Sequence, residues 1–199
     1  SLGTGFLKTR PELETPDIQF HIQPFSADRP GAGTHPFSAF TASVLQLRPQ
    51  STGHLALKSS SPDDYIGIHP NYLSAQTDRD TIVAGVRMAR KICRAEPVRS
   101  LITEEYAPGS FVPDDDAAIL EWVRNTATTI YHPTGTCKMG TDSMAVVDPR
   151  LRVHGIEGLR VADASIMPVI TSGNTNAPAM MIGEKASELI LKDIQQPPR

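Results

Sequence analysis

Apolar and polar residues alternate one by one from Asp17 to Phe25, with Ile18, Phe20 and Ile22 on one side and Gln19, His21 and Gln23 on the other. That period predicts a half-buried strand. The stretch before it, Ser1–Pro16, holds Gly3, Gly5, Pro11 and Pro16 and reads as connecting structure. Ala27–Phe37, with Pro30, Gly31, Gly33 and Pro36, reads as a long loop. Alternation returns over Thr41–Leu47 and stops at Pro49, and His54–Lys58 follows the turn residues Ser51–Gly53 as the return strand of a hairpin. Ile66–His69 is a further short strand. The period then changes to that of a helix. Ile82, Val83, Val86, Ala89, Ile92 and Cys93 form one face, with Thr77 or Asp78 as the cap. Arg79, Arg87, Arg90 and Lys91 fall mostly on the other face and read as solvated.

A second helix is expected from the cluster Pro113–Asp116, whose carboxylates suit a helix N-terminus. Ala117, Leu120, Val123 and Ala127 form its buried stripe, with Trp122 at the flank. Leu159–Ala164 reads as a largely buried strand. A last helix runs from about Asn176 to Ile194, packing through Ala179, Met180, Ile182, Gly183, Ala186 and Ile190, and Gln195–Arg199 is a frayed tail. These elements together predict an α+β fold, an antiparallel sheet with flanking helices.

Composition narrows the class without naming it. A chain of 199 residues can bury a real core as one domain or as two unequal lobes. The net charge of −3, with both signs spread along the chain, provides no basic stripe for nucleic acid. No apolar run reaches the roughly 18 residues of a membrane helix, and the N-terminus lacks a charged-then-apolar signal pattern. A reducing, cytoplasmic setting is therefore expected. Cys93 and Cys137 lack Cys-x-x-Cys spacing and read as free buried thiols. His21, His35, His54, His69 and His154 lack metal-ligand spacing, so no metal site is expected.

His132 stands out among the polar residues. It sits between an apolar run and Pro133, with Gly135 beyond, and proline drives the residue before it out of helical backbone. An imidazole so placed can be aimed into a cleft. From the residues alone it serves as a general base or as a ring satisfying a loop carbonyl. Asn174 and Asn176, within a loop of Ser172, Gly173 and Thr175, read as turn residues or as amide donors.

Four blocks, in order, carry a resemblance: Tyr131-His132-Pro133-Thr134-Gly135-Thr136-Cys137-Lys138-Met139-Gly140, Val147-Asp148-Pro149-Arg150-Leu151-Arg152-Val153, Gly158-Leu159-Arg160-Val161-Ala162-Asp163-Ala164-Ser165, and Ser172-Gly173-Asn174-Thr175-Asn176-Ala177-Pro178. The chain resembles the C-terminal portion of the glucose-methanol-choline oxidoreductases, most closely the choline-dehydrogenase-like members. Pro16–Phe20 and Leu47–Pro49 extend the likeness to the family's substrate-binding part.

The resemblance implies a substrate-binding part over 1–130 and, over 131–199, a catalytic histidine segment with the return portion of an FAD-binding domain. It implies His132 as the base that takes an alcohol proton and Asn174 as its partner. Asp163 and Ala164 match a strand end facing FAD, with a capping role open for Asp163, and Thr175, Asn176 and Ala177 match the segment at the flavin edge. The family's Gly-x-Gly-x-x-Gly turn has no counterpart here, since Gly31 and Gly33 lie in a proline-rich loop. The resemblance therefore implies a small-alcohol dehydrogenase or oxidase whose N-terminal FAD-binding half lies outside this chain, with a homo-oligomer open. In isolation the chain is expected to retain no FAD. A hydroxynitrile lyase on the same scaffold, or an inert fold module, are the alternatives. The strand Leu159–Ala164 and the last helix are expected to leave apolar surface exposed or paired with another copy.

Overall fold

In the computed structural model, which describes residues 2–29 and 31–195, eight regular elements follow one another. They are β1 (Gly3–Leu7), β2 (Ile18–Gln23), β3 (Thr41–Gln46), β4 (His54–Ala56), β5 (Gly67–His69), α1 (Gln76–Cys93), α2 (Asp116–Thr126) and α3 (Asn176–Gln195). Short 3-10 turns occupy Val98–Leu101 and Ala164–Ile166. Pro30 and most of the expected frayed tail lie outside the described residues. The fold is α+β, with antiparallel sheets and flanking helices. By its contacts the chain divides into two units, Ser1–Thr52 with Asn71–Thr128, and Gly53–Pro70 with Thr129–Arg199.

The first unit is built on the antiparallel sheet β1-β2-β3. The strand that the alternation predicts is β2, the central one of the three, but neither of its faces is left to water. Ile18 and Phe20 are buried, and so is Gln19, whose Nε2 donates to Thr4 Oγ1 at 3.1 Å. Thr4 Oγ1 in turn donates to the Phe20 carbonyl at 2.8 Å. β1 falls where connecting structure was expected. Its Gly-Thr-Gly start has no apolar alternation to read, and its place is set by backbone pairing, Gly3 opposite Ile22 through Leu7 opposite Ile18. α1 packs on β2 and β3, and Gly85 permits the approach, because a Cβ there would lie 2.5 Å from Val44 Cγ1.

The expected hairpin from Thr41–Leu47 to His54–Lys58 does not form; β3 pairs with β2, and β4 pairs with β5. The reason is Asp78. Its carboxylate, 1% exposed, accepts from Gln50 N at 2.9 Å, Ser51 N at 2.7 Å, Ser51 Oγ at 2.5 Å and Gln46 Nε2 at 2.7 Å. The start of the supposed turn, Ser51 with Gln50 before it, is thus tied to the first turn of α1 and does not fold the chain back on β3. Asp78 is not a cap either; Ala75 occupies that position without a side-chain bond. Instead the Asp78 carboxylate satisfies a loop.

The basic face of α1 is also not simply solvated. Arg90 is 8% exposed and donates to Glu105 Oε1 at 2.7 Å and to the carbonyls of Val112 and Gly109 at 2.9 and 3.3 Å. Arg87 pairs with Asp114 and Asp116 ahead of α2 and in its first turn. α2 begins where expected, capped by Asp115 Oδ1 accepting from Ala118 N at 3.0 Å. Its buried stripe is Ile119 and Val123, packed with Val83, Val86 and Val112, while Ala117 and Ala127 are exposed.

In the second unit Val147, Leu151, Ile166, Met167, Ile182 and Ala186 form the core. Leu159–Ala164 is not a strand. It makes a single bridge, Arg152 to Arg160, and Leu159 is 48% exposed, because no extended neighbour within the unit offers it a full ladder. α3 packs through Ile182, Ala186 and, in part, Leu189, and its far end is fixed by Asp193, which pairs with Arg150 and Arg160. Met180, Gly183 and Ile190, expected to pack, lie on exposed positions instead. Met180, Leu191 and Ile194 are 63%, 57% and 72% exposed. No helix among the described residues is long and apolar enough to cross a membrane.

Candidate active site

The second unit brings His132 to Asn174 and Thr175, more than forty residues on along the chain. Two arms hold them, and both rest on the same core. In the first arm Cys137 N donates to the Ser165 carbonyl at 3.0 Å and Met139 N to the Ile166 carbonyl at 2.7 Å. Gly135, at φ +84, passes so near Met167 that a Cβ would lie 3.2 Å from its carbonyl oxygen. Ile166 and Met167 are core residues, so the strip carrying His132 is fastened to the interior. The second arm is the loop leading into α3, whose Ile182 and Ala186 belong to that core.

His132 lies outside helix and strand, half-buried, just after Tyr131, whose φ of +65 is rare for a bulky aromatic. Its ring is held at both nitrogens. Nδ1 lies 2.8 Å from Thr175 Oγ1, and Nε2 lies 2.7 Å from Asn174 Nδ2. An amide nitrogen only donates, so Nε2 is the acceptor and presents its lone pair to Asn174. The remaining ring proton is then on Nδ1, directed at the Thr175 hydroxyl. The accepting nitrogen of the ring thus lies against an amide donor. A hydroxyl that enters between the two, replacing their bond, could give its hydrogen to Nε2 and accept one from Nδ2.

Of the other residues implied by sequence, Asp163 serves as a cap. Its Oδ1 accepts from Ser165 N at 2.8 Å at the head of the 3-10 turn, and bonds from the Ser165 side chain and backbone hold its carboxyl below the usual range against a smaller effect of burial. Ala164 starts that turn and packs against the core. Asn176 and Ala177 open α3 and are exposed. It is Asn174, not the neighbouring Asn176, whose amide reaches the ring. Thr175, implied by sequence at a flavin edge, directs its hydroxyl to His132, a role that spacing alone did not reveal. Cys93 and Cys137 are free and half-buried, and burial, with Glu105 nearby, pushes the Cys93 thiol up. No cluster of metal-ligating side chains occurs among the described residues.

Residues 49–183 match the family described as GMC oxidoreductase. The chain belongs to the GMC oxidoreductase family. An alcohol dehydrogenase [acceptor] of Pseudomonas putida is 42% identical over 190 residues, covering 96% of this chain and 34% of that protein. The mitochondrial choline dehydrogenase of Mus musculus is 44% identical over 188 residues, covering 94% of this chain and 31% of the relative. Among solved structures, a pyridoxine 4-oxidase from Mesorbium loti superposes with a TM-score of 0.81 at 27% identity, covering 95% of this chain and 37% of that one. A formate oxidase of Aspergillus oryzae RIB40 superposes with a TM-score of 0.83 at 28% identity, covering 91% and 32%. The chain thus spans about a third of the length of the curated relatives it matches.

Proposed function

We propose that the protein to which this chain contributes oxidises a small primary alcohol to an aldehyde, with His132 as the base and Asn174 as a donor to the alcohol oxygen. The observation that carries the reading is the pairing of His132 Nε2 with Asn174 Nδ2 at 2.7 Å, an acceptor and a donor side by side. A hydroxyl that displaces this bond and takes up both groups loses its proton to Nε2 while Nδ2 turns its hydrogen to the negative charge that builds on the alcohol oxygen. Membership of the GMC family supports FAD as the cofactor, which when bound accepts the hydrogen and electron pair leaving the carbinol carbon.

The residues present fit one edge of such a cofactor. The start of α3 at Asn176 and Ala177 is exposed, with a small side chain at Ala177, and the N-terminus of a long helix favours negative charge. Asn176 and Ala177 would meet the ring edge, next to the Thr175 hydroxyl. A pyrophosphate cradle is a different matter. Among the described residues no glycine-rich turn stands between a strand and a helix, as such a cradle requires. Residues 1–130 would line the substrate, and 131–199 would complete the FAD-binding part.

Rapid mixing of the full-length holoprotein with primary alcohols in the absence of oxygen should bleach the flavin absorbance in a single turnover. Unchanged flavin across a panel of alcohols, together with cyanohydrin cleavage, would assign the site to lyase chemistry instead. The 199-residue chain purified by itself should be colourless. A stoichiometric flavin spectrum from it would mean that a pyrophosphate site is built from these residues after all.

A further inference from the structure

His132 Nδ1 faces the hydroxyl of Thr175, a residue 8% exposed, at 2.8 Å. Thr175 stands directly before Asn176, and its carbonyl accepts from Ala179 N at 2.9 Å, which makes it the N-cap residue of α3. A threonine there ordinarily spends its hydroxyl on the backbone N–H of the second or third helical residue. The third helical residue is Pro178, which has no N–H to offer. One of the two customary donors is therefore missing, no bond from the Thr175 hydroxyl to the other, Ala177 N, is found, and the ring of His132 is the group this hydroxyl meets.

We infer that Thr175 is a positioning residue, whose hydroxyl accepts the Nδ1 proton of His132 and so keeps the imidazole in the tautomer with a bare Nε2. The inference rests on His132 acting as the base. In that state Nε2 faces Asn174 Nδ2, a donor, and the two contacts reinforce each other. With the proton on Nε2 instead, two donors would meet at 2.7 Å and the ring could not take a proton from substrate at that nitrogen. Its place at the N-cap of α3 gives the hydroxyl a rigid base, since the helix is anchored in the core through Ile182 and Ala186. The arrangement resembles the way a ligating histidine is fixed by whatever its second nitrogen binds.

The test uses the full-length holoenzyme with ¹⁵N-labelled histidine. Thr175→Val keeps the shape and removes the hydroxyl. It should lower kcat/KM by about 10–100-fold, with flavin content unchanged. The His132 ring signals should change from protonated Nδ1 and bare Nε2 to a mixture of tautomers. Thr175→Ser should restore activity to within about threefold and recover the single tautomer. If the valine variant does not load flavin, Thr175→Ala against Thr175→Ser makes the same comparison. Wild-type kinetics and ring signals in the hydroxyl-free variants would overturn the proposal, as would a serine variant as impaired as valine. His132→Ala separates the two levels: if it leaves turnover intact, the base assignment falls, while the His132 ring signals of wild type and the Thr175 variants still report whether Thr175 sets the tautomer.

Discussion

Replacing His132 by alanine in the full-length enzyme should lower turnover by a factor on the order of 10²–10⁴, the range lost when a general base is removed. Flavin should remain bound. The prediction follows from Nε2 being the basic nitrogen the site presents, next to a donor 2.7 Å away. Raising the pH should partly rescue the variant, because hydroxide or a pre-ionised alcohol bypasses a missing base. Asn174→Ala should cost less, on the order of 10–10³, since it removes a donor to the developing alkoxide and leaves the proton acceptor in place. No rescue by pH is expected for it. Steady-state kinetics from acid to alkaline pH on both variants check this. Greater damage from Asn174→Ala, with a flat pH response in His132→Ala, would reverse the roles.

Asp78→Ala should lower the unfolding free energy by about 3 kcal/mol or more, the cost of orphaning several buried donors at once. Gln50 N, Ser51 N, Ser51 Oγ and Gln46 Nε2 all converge on this one carboxylate. Asp78→Asn should recover little. An amide offers one accepting oxygen where the site needs two, and its own hydrogens would face donors. Chemical denaturation of the three proteins decides the matter, and a fully stable asparagine variant would show that the second oxygen is dispensable. The same carboxylate gives a pH dependence. Burial raises its pKa, but the bonds from Gln50, Ser51 and Gln46 outweigh that and hold it below its ordinary value. A group depressed in the folded state contributes stability that is complete above its unfolded pKa and lost as pH falls through the folded one. Wild-type protein should therefore lose stability below about pH 4, and Asp78→Ala should lose less over that interval.

Where one period dominated a stretch, the sequence was enough. Alternation over Asp17–Phe25 located β2, the 3.6-residue recurrence from Ile82 to Cys93 located α1, and the acidic cluster before Ala117 located the start of α2. Local chemistry sufficed because the pattern and the backbone requirement coincide in those elements. His132 and Asn174 were legible as residues of interest through the ordered blocks around them. That their side chains meet is a fact of folding.

What only the tertiary structure decided involves partners far away in sequence. β1 carries no pattern of its own and exists because β2 has an open edge for it. The turn expected at Ser51–Gly53 does not fold the chain back on β3, because Ser51 N and its neighbour Gln50 N go to a carboxylate some 27 residues on, which no local rule can anticipate. Leu159–Ala164 has the composition of a strand, but a strand requires a neighbour to pair with, and this unit supplies one bridge. At the site, sequence determined which residues carry an imidazole, an amide and a hydroxyl. The core beneath them, shared by the Cys137–Met139 strip and α3, decided that the three converge and which ring nitrogen each one meets. Hydrogen-bond partnership depends on distance and direction in space, and along the chain neither quantity is encoded by spacing.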